Sequence, residues 1–274
     1  MSISNNPLSN SESWNLVAGN YGEMADWVMT PFAKKALEIL PADKSSSVID
    51  VACGTGILTC MMANLVNNVH ALDFSTDMLA DLRARLTKRE IQNVEITYGD
   101  GQNLPFKDNT FNHAFSLFGL MFFPDRIQGF KELYRVLKPN GLAVVSSWAS
   151  LEKSTLMQAT SAAIKAALPD APSPRANSST LENPELFKSE MEAAGFHSVV
   201  IHEVTMDLPE ISPNMFWKLM SEGGAPIALL KSKHSPEEWD VINEKIIQHL
   251  NSTYPSHTMK LATTAYFGVG RKSN

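Results

Sequence analysis

The sequence predicts an α/β fold, a mostly parallel sheet wrapped by helices. Three observations carry that expectation. A strand, a glycine-punctuated turn and a helix follow one another without interruption from Val48 to Leu65. Apolar strand-like runs then alternate with amphipathic helical runs along most of the chain, the pattern of a sheet built by helical crossovers. Finally, 274 residues are enough for one large layered domain, or one domain with a sizeable insertion.

Composition narrows the class further. Hydrophobic residues make up 44% of the chain, and no apolar run approaches the length of a membrane span. A net charge of −6 argues against a nucleic-acid substrate. The start, Met1 to Pro7, has neither a basic region nor an apolar core, so no signal peptide is expected. The two cysteines, Cys53 and Cys60, suggest neither a metal centre nor a disulfide framework, which fits a reducing, cytoplasmic setting.

Taken in order, residues 1–12 are polar and are expected to lack structure. A stretch punctuated by Trp14, Tyr21 and Trp27 should be helical in parts up to Leu40, where Pro41 stops it. The first strand runs to Val51 and opens into Ala52-Cys53-Gly54-Thr55-Gly56, after which Leu58, Met61 and Leu65 recur at helical spacing. The second strand ends at Asp73, and Ser75 caps a helix whose Leu79, Leu82 and Leu86 face the core. Val94 to Tyr98 is a third strand and Phe111 to Phe118 a fourth. His113 lies mid-strand among Phe111, Phe115 and Leu117, the setting of a buried, satisfied histidine more than of a catalytic base. A helix with Ile127, Phe130, Leu133 and Leu137 in phase leads through Asn140-Gly141 to a fifth strand, Leu142 to Ser147. A helix near Leu156–Leu168, a loose connection through Pro172 and Pro174, and a helix capped by Asn183 with Pro184 at its first position come next. Val199–Met206 is the sixth strand and Thr263–Gly270 the last. Residues 209–260 between them are too long for a hairpin loop and include a capping box at Ser235–Glu238. They are expected to form a helical lid over the carboxyl edge of the sheet, the alternative being a dimerisation arm.

The glycine turn points to a nucleotide-like cofactor. Gly54 and Gly56 permit unusual backbone angles and close approach of a ligand, and the first amides of the next helix lack internal partners. A dinucleotide fingerprint would place glycine or alanine where Thr59 stands, and Asp50 before the turn would repel a pyrophosphate. No Gly-Lys-Ser/Thr follows, so a P-loop is ruled out. A positively charged cofactor without phosphates fits better.

Four segments then resemble, in register, the motifs of class I S-adenosylmethionine (SAM) dependent methyltransferases. They are Val48-Ile-Asp-Val-Ala-Cys-Gly-Thr-Gly56, Val69 to Met78, Tyr98 to Phe106, and Glu132 to Gly141. Within that superfamily the chain is similar to the ubiquinone and menaquinone C-methyltransferases and related small-molecule enzymes. The resemblance covers residues 14–148, the expected cofactor-binding core. It implies a Rossmann-like seven-stranded sheet, six strands parallel and the last antiparallel, with helices on both faces. It implies SAM held by Asp50, Ala52, Cys53, Gly54 and Gly56 of the turn, Asp73 on the ribose hydroxyls, and Phe74 beside it. Met78 would lie against the adenine ring, Asp100 would accept its amine, and a backbone N–H near Gly101 or Gln102 would meet a ring nitrogen. Leu117 and Phe118 would flank the methionine moiety, and Tyr21 would fold over it, unless these aromatics only cover the sheet.

Apolar residues near the presumed acceptor end, Met121, Phe122, Trp148, Trp217 and Met220, suggest a small, largely apolar methyl acceptor. No catalytic residue is assigned, since in-line displacement at a sulfonium needs chiefly positioning and exclusion of water. The acceptor atom stays open among O, N, S and C. The competing readings are a SAM-binding regulatory or scaffold protein without turnover, and a methyltransferase acting on protein or RNA. The protein is expected to work as a monomer or homodimer.

Overall fold

The computed structural model describes residues 6–171 and 181–274. Two helices open the chain, α1 (Ser11–Asn15) and α2 (Ala18–Ile39), and then strands and helices alternate. They are β1 (Ser47–Val51), α3 (Ile57–Ala63), β2 (Asn68–Asp73), α4 (Thr76–Lys88), β3 (Val94–Tyr98), β4 (Phe111–Leu117), α5 (Arg126–Val136) and β5 (Leu137–Trp148). The remainder comprises α6 (Thr155–Ala167), α7 (Pro184–Ala193), β6 (His197–Asp207), α8 (Pro213–Gly223), α9 (Ala225–Lys231), α10 (Pro236–Thr253) and β7 (Ala262–Arg271).

The strands form one sheet in the order β3-β2-β1-β4-β5-β7-β6. Strands β1 to β5 pair in parallel, whereas β7 runs antiparallel to both β5 and β6, so six strands share one direction. The order reverses between β1 and β4, and it is there, outside the carboxyl ends of the strands, that open sheets of this kind place their ligands. The central strands are buried on both faces: Val48, Ile49, Val51, Ala114, Phe115, Val144 and Val145 are inaccessible to solvent. That burial explains their near-continuous apolar runs.

Helices α3 and α4 both lie beside α2, which also packs on α8, while α10 spans α6 and α8; α5 and α7 pack together elsewhere on the sheet. Local chemistry sets the helix starts. Asn10, Ser75, Asp125, Ser154, Asn183, Ser212 and Ser235 each accept a backbone N–H of the following turn. The capping box at Ser235 and Glu238 is formed on both sides.

Two expectations change here. Residues 6–12 are structured: Asn6 caps a 3-10 turn at Pro7–Ser9, Asn10 caps α1, and the Ser13 hydroxyl donates to the Pro7 carbonyl at 2.6 Å. Polarity misled because these polar groups are spent on caps. His113 is likewise not satisfied, because its buried Nδ1 has no hydrogen-bond partner and burial lowers its pKa. It lies four residues, about 13 Å along the strand, before the carboxyl end of β4. The expected connection through Pro172 and Pro174 lies outside the described residues.

Candidate cofactor site

The site begins with the turn after β1. Gly54 takes φ +53°, and a Cβ there would meet nothing closer than Tyr21 at 3.9 Å, so its open side faces space beside that ring. Gly56 is required for another reason. Its φ of +81° is left-handed, and a Cβ would fall 2.2 Å from Leu82 of α4. Its absent side chain lets two helices approach, and it lines no wall of the cavity described below, contrary to the expectation from sequence. At the site, two residues with side chains also hold left-handed angles: Ala52 at φ 57° and Phe118 at φ 58°, at the ends of adjacent strands β1 and β4. A Cβ on Gly119 would come within 2.3 Å of the Ala52 Cβ, so these ends meet closely. Strained backbone of this kind persists where the surroundings impose it, and it collects at functional sites.

Around these ends lies a cavity of about 260 Å³. Its walls include Tyr21, Ala52, Gly54, Asp73, Phe74, Met78, Asp100, Gly101, Gln102, Leu117, Phe118 and Phe122, all of them read from the sequence as site residues. A smaller space of about 50 Å³ shares Tyr21, Ala52, Gly54, Leu117 and Phe118 with it and adds Asp50, Cys53, Thr55 and Met29. The Tyr21 hydroxyl donates to the Met29 sulfur at 3.4 Å. Sequence reasoning missed Leu8, Ser9 and Trp14, which close the larger cavity from the N-terminal side. The Trp14 indole N–H donates to the Leu8 carbonyl at 3.0 Å, and its ring meets Tyr21 and Phe122 edge-on at 6.1 and 5.2 Å. The Asn6 and Asn10 caps were the signal that could have found them.

Electrostatically the site is acidic. Asp73, 5% exposed, accepts the Gly54 N–H at 2.8 Å and the Ser75 N–H at 2.9 Å, one on each oxygen. Burial raises its pKa, against the pull of the Ser75, Gly54 and Phe74 amides. Each oxygen keeps a second lone pair for a ligand hydroxyl. Asp50, 2% exposed, accepts the Thr59 hydroxyl at 2.6 Å, and the Thr59 backbone amide also favours its charged form. Burial is the main cause of its pKa rising to about 7; the Thr59 bond opposes the rise and the Asp73 charge adds to it. Burial, then the charges of Asp73 and Asp50, also push the Cys53 thiol well up, and the Tyr21 phenol is raised by burial and then by Asp73. Among the described residues, no lysine, arginine or histidine lines either space.

The outer loop departs in detail from expectation. Asp100 is exposed, and its Oδ1 accepts both the backbone and side-chain N–H groups of Gln102 at 2.8 and 3.1 Å. The Gln102 N–H is therefore already taken, and its side-chain oxygen accepts the Asp125 N–H at 2.8 Å. Gly101 sits under Phe123, where a Cβ would be 2.4 Å from the ring. At the presumed acceptor end, Met121, Trp148, Trp217 and Met220 do not reach the walls of either space. Met121 takes the Ser147 hydroxyl on its sulfur at 3.5 Å. Trp148 stacks on Phe118 at 3.9 Å and meets Phe32 edge-on at 5.4 Å. Trp217 donates to Asn243 at 2.8 Å between α8 and α10, and Met220 belongs to the same core. The sequence places these residues on apolar faces without saying which neighbour covers them.

A sheet in this order, with a glycine turn after β1 and a buried acid closing β2, defines the class I SAM-dependent methyltransferase fold. Residues 49–145 match the family described as Methyltransferase domain. It is 40% identical over 111 residues to the demethylmenaquinone methyltransferase of Listeria monocytogenes; the match covers 39% of this chain and 47% of the relative. The chain thus spans about half the length of the curated relatives it matches. Among solved structures, phosphoethanolamine N-methyltransferase 2 of Haemonchus contortus with bound SAM aligns at a TM-score of 0.60 and 17% identity, over 100% of this chain and 60% of the other. The cyclase SpnF aligns at 0.60 and 16%, over 96% and 95%.

Proposed function

We propose that the protein is a SAM-dependent methyltransferase acting on a small, largely apolar acceptor. The observation that carries this is a pair of buried carboxylates, Asp50 and Asp73, for which the described residues supply neither an ion-pair partner nor a basic side chain in either adjoining space. Buried charge without a partner is costly, and a cationic ligand relieves the cost. The site fits SAM on this ground and because Gly54 leaves space for close approach. Asp73 would hold the ribose hydroxyls, Asp100 the adenine amine, Met78 the ring face, and Asp50 the positive charge of the amino-acid end.

When bound, the cofactor supplies a methyl group on a sulfonium whose departure leaves a neutral thioether. The residues of this chain orient and exclude water. Phe118, braced by Trp148 and Phe32, fixes one wall; Tyr21 and Trp14 close the side toward solvent. With Cys53 and Tyr21 held protonated at neutral pH, neither serves as a general base. An apolar acceptor is supported by the apolar residues among these walls and by the name of the Listeria relative. That match covers 39% of this chain, so the acceptor does not follow from the identity. We assign the 209–260 helices a covering role, supported by α9 packing on α1.

Isothermal calorimetry with S-adenosylhomocysteine, followed by a turnover panel of quinol, phenol, amine and lipid acceptors with SAM, tests the proposal. Binding with turnover of a neutral apolar acceptor is expected. Tight binding with no turnover across the panel would favour the regulatory reading, and the fold alone does not decide, since SpnF is a cyclase on it. No binding would overturn the proposal.

A further inference from the structure

Asp100 sits on a loop of residues 99–110 between β3 and β4 that contains no helix or strand. A loop this long needs an external scaffold to hold one shape, and α5 supplies it at two points. At the near end, Gln102 accepts the Asp125 N–H on its side chain, and its carbonyl accepts the Gln128 side-chain N–H at 3.2 Å. At the far end is a charged fork. Glu132, 7% exposed, accepts the Leu104 N–H on Oε2 at 2.7 Å. Arg135 grips the same carboxylate with both arms, Nε to Oε1 at 2.8 Å and Nη2 to Oε2 at 2.7 Å. Its remaining donors go to the loop: Nη2 to the Leu104 carbonyl at 2.9 Å, and Nη1 to the Phe106 carbonyl at 2.7 Å and to Asp108 at 2.8 Å. The Lys272 ammonium, just past β7, donates to the Arg135 carbonyl and to Asn109 at 3.0 and 2.9 Å.

One guanidinium thus spends its donors on one carboxylate and three residues of one loop. A bidentate, charge-assisted fork fixes orientation as well as distance, and a lysine cannot reproduce its planar geometry. The backbone N–H of Asn103 donates to the Asp100 carbonyl at 3.0 Å, which couples Asp100 to the anchored Leu104, the residue after Asn103.

We propose that Glu132 and Arg135 are positioning residues for the cofactor: the fork sets where the loop presents the Asp100 carboxylate, and so governs discrimination of an exocyclic amine at a distance. The inference rests on the reading of the cavity as the SAM site. The test compares binding of S-adenosylhomocysteine and S-inosylhomocysteine, which carries an oxo group in place of the amine, to the wild type, Arg135→Lys and Glu132→Gln. Both variants keep a polar group in place, at buried Glu132 and at partly exposed Arg135, so they preserve folding better than alanine would. The adenosyl compound should lose about tenfold in affinity in each variant, while the inosyl compound changes little and the ratio contracts. In the free protein, hydrogen exchange of the Gln102 and Leu104 amides should quicken. Equal losses for both compounds, or an unchanged ratio, would overturn the positioning role while leaving the cofactor site intact. Failure of the wild type to bind either compound would overturn both readings together.

Discussion

The buried Asp50 carboxyl turns a structural detail into a pH dependence. Its pKa is raised to about 7, chiefly by burial, whereas an unfolded aspartate titrates near 4. Between those values the native state holds a proton that the unfolded chain has released, so this group makes stability fall as pH rises from about 4 to about 7. A cation bound beside it favours the ionised form, so binding expels the proton. Affinity for S-adenosylhomocysteine should therefore climb from pH 6 to pH 8 and level off, with proton release detectable by calorimetry in two buffers of different ionisation enthalpy. Asp50→Asn should flatten the profile; a wild-type affinity indifferent to pH would reject the role. At Asp73 the expected effect is one of magnitude. Asp73→Ala removes charge-assisted bonds worth roughly 1.5–3 kcal/mol, which weakens the same ligand by about tenfold or more. Calorimetry giving the wild-type dissociation constant would refute the ribose assignment. Both acids were legible because each sits where a strand runs into its turn. Gln102 was read for its backbone N–H, but that N–H goes to Asp100 and the side-chain oxygen takes the Asp125 N–H at the start of α5, a partner that only the fold brings to it.

At the scale of elements, strands and crossover helices were legible in order and mostly to within two residues, except that β5 begins at Leu137, which was read as helical, and not at Leu142. Burial on both faces makes the central strands apolar, and Ser and Asn caps mark the helix starts. The opening segment was misread, because a short capped turn is polar outside and shows its single apolar side only once a cavity wall needs it. Leu8, Val17, Ala18, Met78 and Ala225 form a small cluster apart from the main core, with Trp14 and Tyr21 packed against it. Two polar links hold this roof to α4: the Ser75 hydroxyl donates to Asn15 at 2.6 Å, and Arg85 pairs with Asp26 at 2.7 Å. Trp14→Ala removes two edge-on aromatic contacts and opens the cavity wall. Aromatic pairs are worth about 0.5–1.5 kcal/mol each, so the dissociation constant for S-adenosylhomocysteine should rise about tenfold by calorimetry. The main core does not depend on this ring, so the melting temperature should move little. A large fall in melting temperature with unaltered affinity would show that the roof serves folding and not the ligand.

For the whole molecule, the sheet order and the pairing of β7 between β5 and β6 carry the long excursion from β6 to β7 back across the helices already in place. Packing at that distance is the part a sequence does not display. The stripe Phe216-Trp217-Met220 reads equally as a binding face or as the inner face of a three-helix contact, and the structure shows the second. Trp217 is 2% exposed, Phe216 is inaccessible and meets Trp27 edge-on at 6.3 Å, and the Trp27 indole reaches the Pro209 carbonyl at 3.1 Å. Gly223 lies so near α2 that a Cβ would stand 2.7 Å from the Met24 Cβ. Truncating a buried tryptophan in such a contact costs about 3–5 kcal/mol, which in a chain of this size lowers the melting temperature by roughly 6–20 °C. Trp217→Ala should show that loss in calorimetric melting while the KM for the acceptor, measured well below the transition, stays near the wild-type value. A variant that melts like the wild type but loses its acceptor would return Trp217 to the substrate wall. In that case α8 would have to part from α2 during turnover, and the 209–260 segment would select the acceptor directly instead of bracing the roof from behind.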